Sequence, residues 1–253
     1  MSDDGRYAVF VSNQNTLVPG DTNPNDDGSD VYIRDRVLKT TRRITGPNGT
    51  EFLGKIGGAD IAGNGSIVVF TATGDIVEPC LTGNPDPRSG RSLYSYEIDT
   101  QKLECVSVDN DNQYMGTQFV AGVDVSGDGR FVLFNSFSAI DPADTNQRLD
   151  LFIRDRVKKR TYWVSQAADG SAGLGSSFHG MLSEDGNWLA FSSLAPNLVP
   201  GDQNGVRSDV FLRDLRTLKS ELLQLPSNDL RWLVVLASLL LCAGFCVKHR
   251  ALA

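Results

Sequence analysis

The chain has 253 residues, and its 31 acidic against 24 basic side chains leave a net charge of −7. That balance stands against nucleic acid as a partner, because phosphate binding calls for a basic face. Four cysteines and two histidines, with no Cys-x-x-Cys spacing, stand against a zinc site as well.

Taken in order, the chain opens on Ser2-Asp3-Asp4-Gly5-Arg6 and the apolar run Tyr7 to Val11. No charged and then apolar leader precedes this start, so these residues do not read as a secretory signal. The layout then returns. Asn64-Gly65 leads into Ile67 to Phe70, Asp128-Gly129 into Phe131 to Phe134, and Ser183-Glu184-Asp185-Gly186 into Trp188 to Phe191. A fifth start is legible at Ser227-Asn228-Asp229-Leu230-Arg231, with leucine in the glycine position. Asp-Gly or Asn-Gly between apolar runs predicts a two-residue type I′ hairpin turn, with positive φ at both central residues.

Each internal turn has a short semi-apolar segment before it, at Ala59 to Ala62, Val120 to Val125 and Met181-Leu182. These are expected first strands, and the apolar runs are second strands. Third strands are expected at Val31 to Arg34, Leu93 to Glu97, Leu151 to Arg154 and Val210 to Arg213. Fourth strands are expected at Thr40 to Thr45, Leu103 to Val108, Thr161 to Ser165 and Ser220 to Leu223. No segment before residue 228 carries helical periodicity. Four antiparallel strands repeated at this period form the pattern of a β-propeller blade, whose faces are buried only by stacking on neighbours. The expected fold is all-β: about four four-stranded antiparallel blades near residues 2–45, 58–108, 120–165 and 180–223. The set is either whole or one part of a larger propeller.

The loops between second and third strands are the richest in oxygen ligands. They offer Asp21, Asn23 and Asp30, then Asp144, Asn146 and Asp150, then Asp202, Asn204 and Asp209. Such clusters suit Ca²⁺ as a cofactor, held weakly, although the spacing is not that of an EF-hand. The competing reading is turn chemistry, in which Asp and Asn side chains bond their own backbone. The pairs Arg34-Asp35, Arg154-Asp155 and Arg213-Asp214 end the third strands. Adjacent strand residues face opposite ways, so the Asp is expected to open the next turn and the Arg to reach a neighbouring blade.

Catalysis finds no support: His179 stands beside Ser176 and Ser177 without a Gly-x-Ser-x-Gly elbow. Cys80 and Cys105 either pair in an oxidising compartment or stay as core thiols. After the repeats comes the apolar run Trp232 to Val247, followed by Lys248-His249-Arg250. It reads as a C-terminal transmembrane helix over 229–250, with basic flanks that reach the head groups. The basic residues after it place the C-terminus inside and the propeller, residues 1–226, outside. That topology requires an export signal, which the opening residues do not carry.

The run Ser-x-Asp-Gly-Arg followed by apolar residues resembles the WD40-like (PD40) repeats of TolB-type propellers. Leu17-Val18-Pro19-Gly20-Asp21 with Asp30-Val31-Tyr32-Ile33-Arg34-Asp35 is similar to the bacterial branch of that repeat. Leu198-Val199-Pro200-Gly201-Asp202 with Asp209-Val210-Phe211-Leu212-Arg213-Asp214 repeats it. The second unit departs from the pattern, with Arg91-Ser92 at the acidic position and Tyr96-Glu97 at the Arg-Asp position. The resemblance implies a non-catalytic scaffold for protein–protein contact in the bacterial cell envelope. The alternatives are the propeller portion of a peptidase-type hydrolase and a fragment of a larger propeller.

Overall fold

A computed structural model describes residues 1–21, 29–49, 55–73, 76–80, 91–114, 121–141, 143–202, 205 and 207–216. These form four antiparallel sheets in sequence order, with no α-helix among them and one 3₁₀ turn at Pro47–Gly49. The first blade is β1 (Tyr7–Ser12), β2 (Asp30–Asp35) and β3 (Thr40–Arg43). The second is β4 (Ile56–Ile61), β5 (Ile67–Thr73), β6 (Arg91–Glu97) and β7 (Leu103–Cys105). The third is β8 (Ala121–Val125), β9 (Phe131–Ser136), β10 (Asp150–Asp155) and β11 (Arg160–Trp163). The fourth is β12 (Ser177–Leu182), β13 (Trp188–Ser193) and β14 (Asp209–Asp214). The expected strand at Ser220 to Leu223 and the apolar run Trp232 to Val247 lie outside the described residues. Among the described residues no helix is long and apolar enough to cross a membrane.

The middle strands are apolar without interruption because neighbours cover both of their faces. Alternation along a strand sends successive side chains to different neighbours. On β9, Val132 and Phe134 pack toward the second blade with Val69 and Leu93. Leu133 between them packs toward the fourth blade with Leu189 and Phe191. A third cluster joins Val31 and Ile33 of the first blade to Phe70 and Tyr94 of the second. The core is thus three layers, one between each pair of blades.

The turns correct the type I′ expectation. Only the glycines have positive φ, at +67° for Gly5, +71° for Gly65, +73° for Gly129 and +62° for Gly186. The turn bond runs from the Gly5 N–H to the Ser2 carbonyl, 2.9 Å, and from the Gly129 N–H to Ser126, 2.8 Å. This is the longer class of hairpin loop, a turn followed by one left-handed residue. The polar side chains select it. Asp128 accepts the Ser126 hydroxyl at 2.7 Å and the Arg130 N–H at 2.9 Å, and the Ser126 hydroxyl accepts the Phe131 N–H at 3.0 Å. These bonds hold the aspartate in a right-handed conformation, leaving positive φ to glycine alone.

The outer strands are shorter than expected, ending at Arg43, Cys105 and Trp163. Beyond those points serine hydroxyls replace the ladder. Ser107 accepts the Leu93 N–H and Ser165 the Leu151 N–H, at 3.0 and 2.9 Å. Val108 instead bridges to Tyr114.

Candidate functional site: the loop end of the blades

Antiparallel order puts the Asp-Gly and Asn-Gly turns at one end of each blade and the loops between second and third strands at the other. The loop end holds most of the oxygen ligands singled out in the sequence. In the first blade Asp21 and Asp30 face a cation from their own sheet. Arg43 Nη1 lies 2.7 Å from Asp21 and 3.5 Å from Asp30. The Tyr32 hydroxyl donates to Asp21 at 2.5 Å. Burial, and then Asp21, hold the Tyr32 phenol above its usual range. Asn23 and Asn204 lie outside the described residues.

In the third blade Trp163 takes the place of Arg43. It opposes Phe152 as Arg43 opposes Tyr32. Asp150 accepts the Ser165 hydroxyl at 2.6 Å and the Asn146 amide at 3.0 Å, while Trp163 donates to Ser165 at 3.1 Å. Burial raises the Asp150 carboxyl above the ordinary value. Burial, and then the charge of Asp150, push Asp144 up to about 6. Asn146 Oδ1 accepts the Arg148 N–H at 2.6 Å, which is the turn chemistry expected of this loop. Among the described residues no three His, Cys, Asp or Glu side chains gather as a metal site.

The second blade solves the same place covalently. Cys80 and Cys105 are joined, with Cα atoms 5.7 Å apart, and Cys105 opposes Tyr94 as Arg43 opposes Tyr32. The sequence left that pairing open. Its signal was the alignment of Ile76-Val77-Glu78-Pro79-Cys80 with Leu17-Val18-Pro19-Gly20-Asp21.

The Arg-Asp pairs divide as strand geometry requires. Asp35 accepts the Val37 and Leu38 N–H groups, each at 2.9 Å, and opens the turn. It also pairs with Arg6 at 2.9 Å, and Asp155 pairs with Arg130 at 2.6 Å. The arginines turn the other way. Arg154 donates to the Asp109 carbonyl of the second blade at 3.2 Å, and Arg213 donates to the Gln166 carbonyl of the third. Arg154 and Arg213 reach the neighbouring blade as expected, largely through backbone carbonyls, whereas Arg34 donates to Thr41 of its own blade at 3.0 Å. Burial lowers the Arg213 guanidinium to about 10.

His179 is exposed, has φ of +51° in the bulge of β12, and stands edge-on to Phe178. The Ser177 hydroxyl is buried and bonded to Ser193 at 2.9 Å. That serine is a strand-to-strand tie.

No protein-family model matches the chain, and no curated protein does. Solved structures do. The tricorn protease matches with a TM-score of 0.50 at 10% identity, over 85% of this chain and 21% of that one. The fold is that of a β-propeller. TolB from Acinetobacter baumannii matches with a TM-score of 0.48 at 17% identity, over 85% of this chain and 40% of its own. A prolyl endopeptidase matches with 0.45 at 14% identity, over 74% of this chain and 25% of its own. The chain therefore spans under half the length of these propeller proteins. At such identities the likeness bears on the fold alone.

Proposed function

We propose that this β-propeller is a non-catalytic scaffold that binds other proteins through its loop end. The observation that carries the reading is a set of exposed apolar side chains there. Leu17, Phe137 and Val199 stand in the loops after β1, β9 and β13, and Leu174 precedes β12. All four are exposed, and Leu174 keeps 67% of its surface in water. Apolar side chains exposed in loops suit protein contact, and Val37, Leu38 and Val157 at the opposite end are exposed as well. The ionic groups beneath them are used to hold loops to strands, as Arg43 holds Asp21.

The second part of the proposal is residence in the cell envelope, with Trp232 to Val247 as the anchor and the propeller outside. The composition of that run and its basic flank support it. The alternative, the propeller portion of a peptidase, draws on the likeness to the tricorn protease, which bears on fold.

The test is cross-linking of the full chain in envelope preparations, followed by reconstitution with the purified partner. Leu17→Asp, Phe137→Asp and Leu174→Asp are expected to fold and to weaken that complex at least tenfold. Unchanged affinity in all three, or loss only with Val157→Asp at the opposite end, overturns the loop-end reading. Peptide turnover that disappears in His179→Ala or Ser177→Ala overturns the non-catalytic one.

A further inference from the structure

The turn end carries a device that neither the repeats nor the proposed binding role calls for. The second residue of each turn is Asp3, Gly127 or Glu184 where the turn reads Ser-x-Asp-Gly, and Gly63 in the second blade, where it reads Ala62-Gly63-Asn64-Gly65. Backbone bonds chain these turns together across blades. Asp3 N–H donates to the Gly63 carbonyl at 2.8 Å, Asn64 N–H to Gly127 at 2.9 Å, and Gly127 N–H to Glu184 at 2.8 Å. The Glu184 side chain then lies back over the two glycines. A Cβ on Gly127 would overlap its carboxylate, and one on Gly63 would overlap both that carboxylate and the one of Asp3. The glycines serve here as space for an acid from another blade.

A second carboxyl pair lies beside it. Asp60 is on β4 and Asp124 on β8, and Asp124 Oδ2 accepts the Leu182 N–H of β12 at 2.5 Å. Asp124 thereby touches three blades at once. The strongest charges acting on Glu184 are Asp3, Asp128 and Asp60, and the one acting on Asp124 is Asp60. All are acidic. The arginines of the same turns are drawn away, Arg6 to Asp35 and Arg130 to Asp155. Asp4 and Asp185 accept bonds from Ser2 and Ser183 within their own turns, and His179 on β12 is exposed.

We propose that these carboxyls form a proton-operated latch between the blades. A proton shared by Asp60 and Asp124, and another shared by Asp3 and Glu184, keep the four turns joined, and loss of those protons parts them. Two carboxylates in contact repel when both ionise, so each pair holds a proton more tightly than a lone carboxyl, less so for Asp3 and Glu184, which are exposed. Burial, with Asp60, pushes Asp124 up to about 7, and burial, with Asp3, raises Glu184. The direction follows. The full stability is present below the ordinary carboxylate value, where both folded and unfolded chains are protonated. Between that value and about 7 the unfolded chain releases its protons first, so stability falls as pH rises, and it levels off above.

The test is hydrogen exchange of the full chain between pH 5 and pH 8, corrected for intrinsic exchange, with denaturant midpoints in parallel. Protection of the Gly127 and Leu182 amides is expected to fall by about tenfold per pH unit from pH 5 to about 7 and to level off above, and midpoints to follow it. Asp124→Asn with Glu184→Gln keeps hydrogen bonding without the charge. It is expected to flatten both profiles and to exceed the parent at pH 8. A parent profile that is flat, or one that stays equally steep in the double variant, overturns the latch. If the double variant fails to fold, carboxyl ¹³C titration of the parent decides instead. A Glu184 and an Asp124 that both titrate at ordinary values overturn the latch, and raised values uphold it.

Discussion

Arg43 and Asp21 form in the first blade the tie that Cys80 and Cys105 form in the second. In both, the end of a loop is fastened to the outer strand opposite the aromatic residue of the third strand, Tyr32 or Tyr94. One blade uses charge and the next a covalent bond. The equivalence predicts that the ties are interchangeable. Asp21→Cys combined with Arg43→Cys should oxidise to a disulfide, seen as the loss of two free thiols by mass spectrometry. Two thiols that stay free under conditions where Cys80 and Cys105 are joined would show that the two positions are not equivalent.

Removing only one member of the ionic tie should be costly. The side chains of Asp21 and Arg43 are 1% and 8% exposed, so Arg43→Met leaves two carboxylates facing each other out of water. Breaking such a pair costs about 3–5 kcal/mol. Arg43→Met is expected to lose stability on that scale in urea at pH 7, and Arg43→Met with Asp21→Asn to recover part of it. A loss under 1 kcal/mol would mean that solvent already screens the pair.

The covalent tie has its own measure. Closing a loop of 25 residues corresponds to about 3–4 kcal/mol on the chain-entropy account. Cys80→Ala with Cys105→Ala should lower stability by that amount, and reductant should lower the parent to nearly the same value. Equal stability of reduced and oxidised parent would leave the bond without a structural role.

Asp155 predicts a pH dependence opposite in sign to that of the latch. Burial works to raise its carboxyl, but Arg130 and the N–H groups of Lys158 and Val157 outweigh it and hold the group below its ordinary value. A depressed carboxyl adds stability above the unfolded value and loses it as pH falls through the folded one. Asp155→Asn is expected to cost about 2 kcal/mol at pH 7 and little at pH 2. A cost that is constant across that range would assign the effect to packing.

Much of this was legible in the sequence, and the misses have physical causes. The middle strands stood out because residues such as Val132, Leu133 and Phe134 must be apolar to serve two neighbours at once. The turn type was misread because Asp-Gly alone does not show that Ser126 and Asp128 cap the loop. The outer strands were drawn too long because a buried Ser107 or Ser165 hydroxyl takes over from the ladder without changing the local pattern. The latch was out of reach. Asp60, Asp124, Asp3 and Glu184 are far apart in the chain, and only the stacking of blades makes them neighbours. The loop acids were found, but not their use, because nothing in the segment Thr40 to Thr45 shows that Arg43 faces Asp21 and Asp30. Glu97 shows how a departure is absorbed. Ser66 stands where Arg6 and Arg130 stand in other blades, and Glu97 pairs with Arg156 of the third blade at 3.2 Å instead.

Calcium gives the last prediction, and the third blade is where it is decided. In the first blade the space between Asp21 and Asp30 is taken by the Arg43 guanidinium, which already supplies the positive charge. In the third blade the outer strand offers Trp163 in that place, so the acids Asp144 and Asp150 rely on hydrogen bonds. Asp150 is held by Asn146 and Ser165, and Asp144 takes the Asn146 N–H. An ion there would have to displace those bonds, and also the proton that Asp144, raised to about 6, keeps in mildly acid solution. Ca²⁺ binds well where six to eight oxygens converge without such competition. Calorimetry at millimolar Ca²⁺ and pH 7 is therefore expected to show no heat, and the melting temperature no shift. If heat does appear, it should grow from pH 6 to pH 8 with release of a proton and vanish in Asp150→Asn. That outcome would replace the turn reading of the third loop with a calcium site.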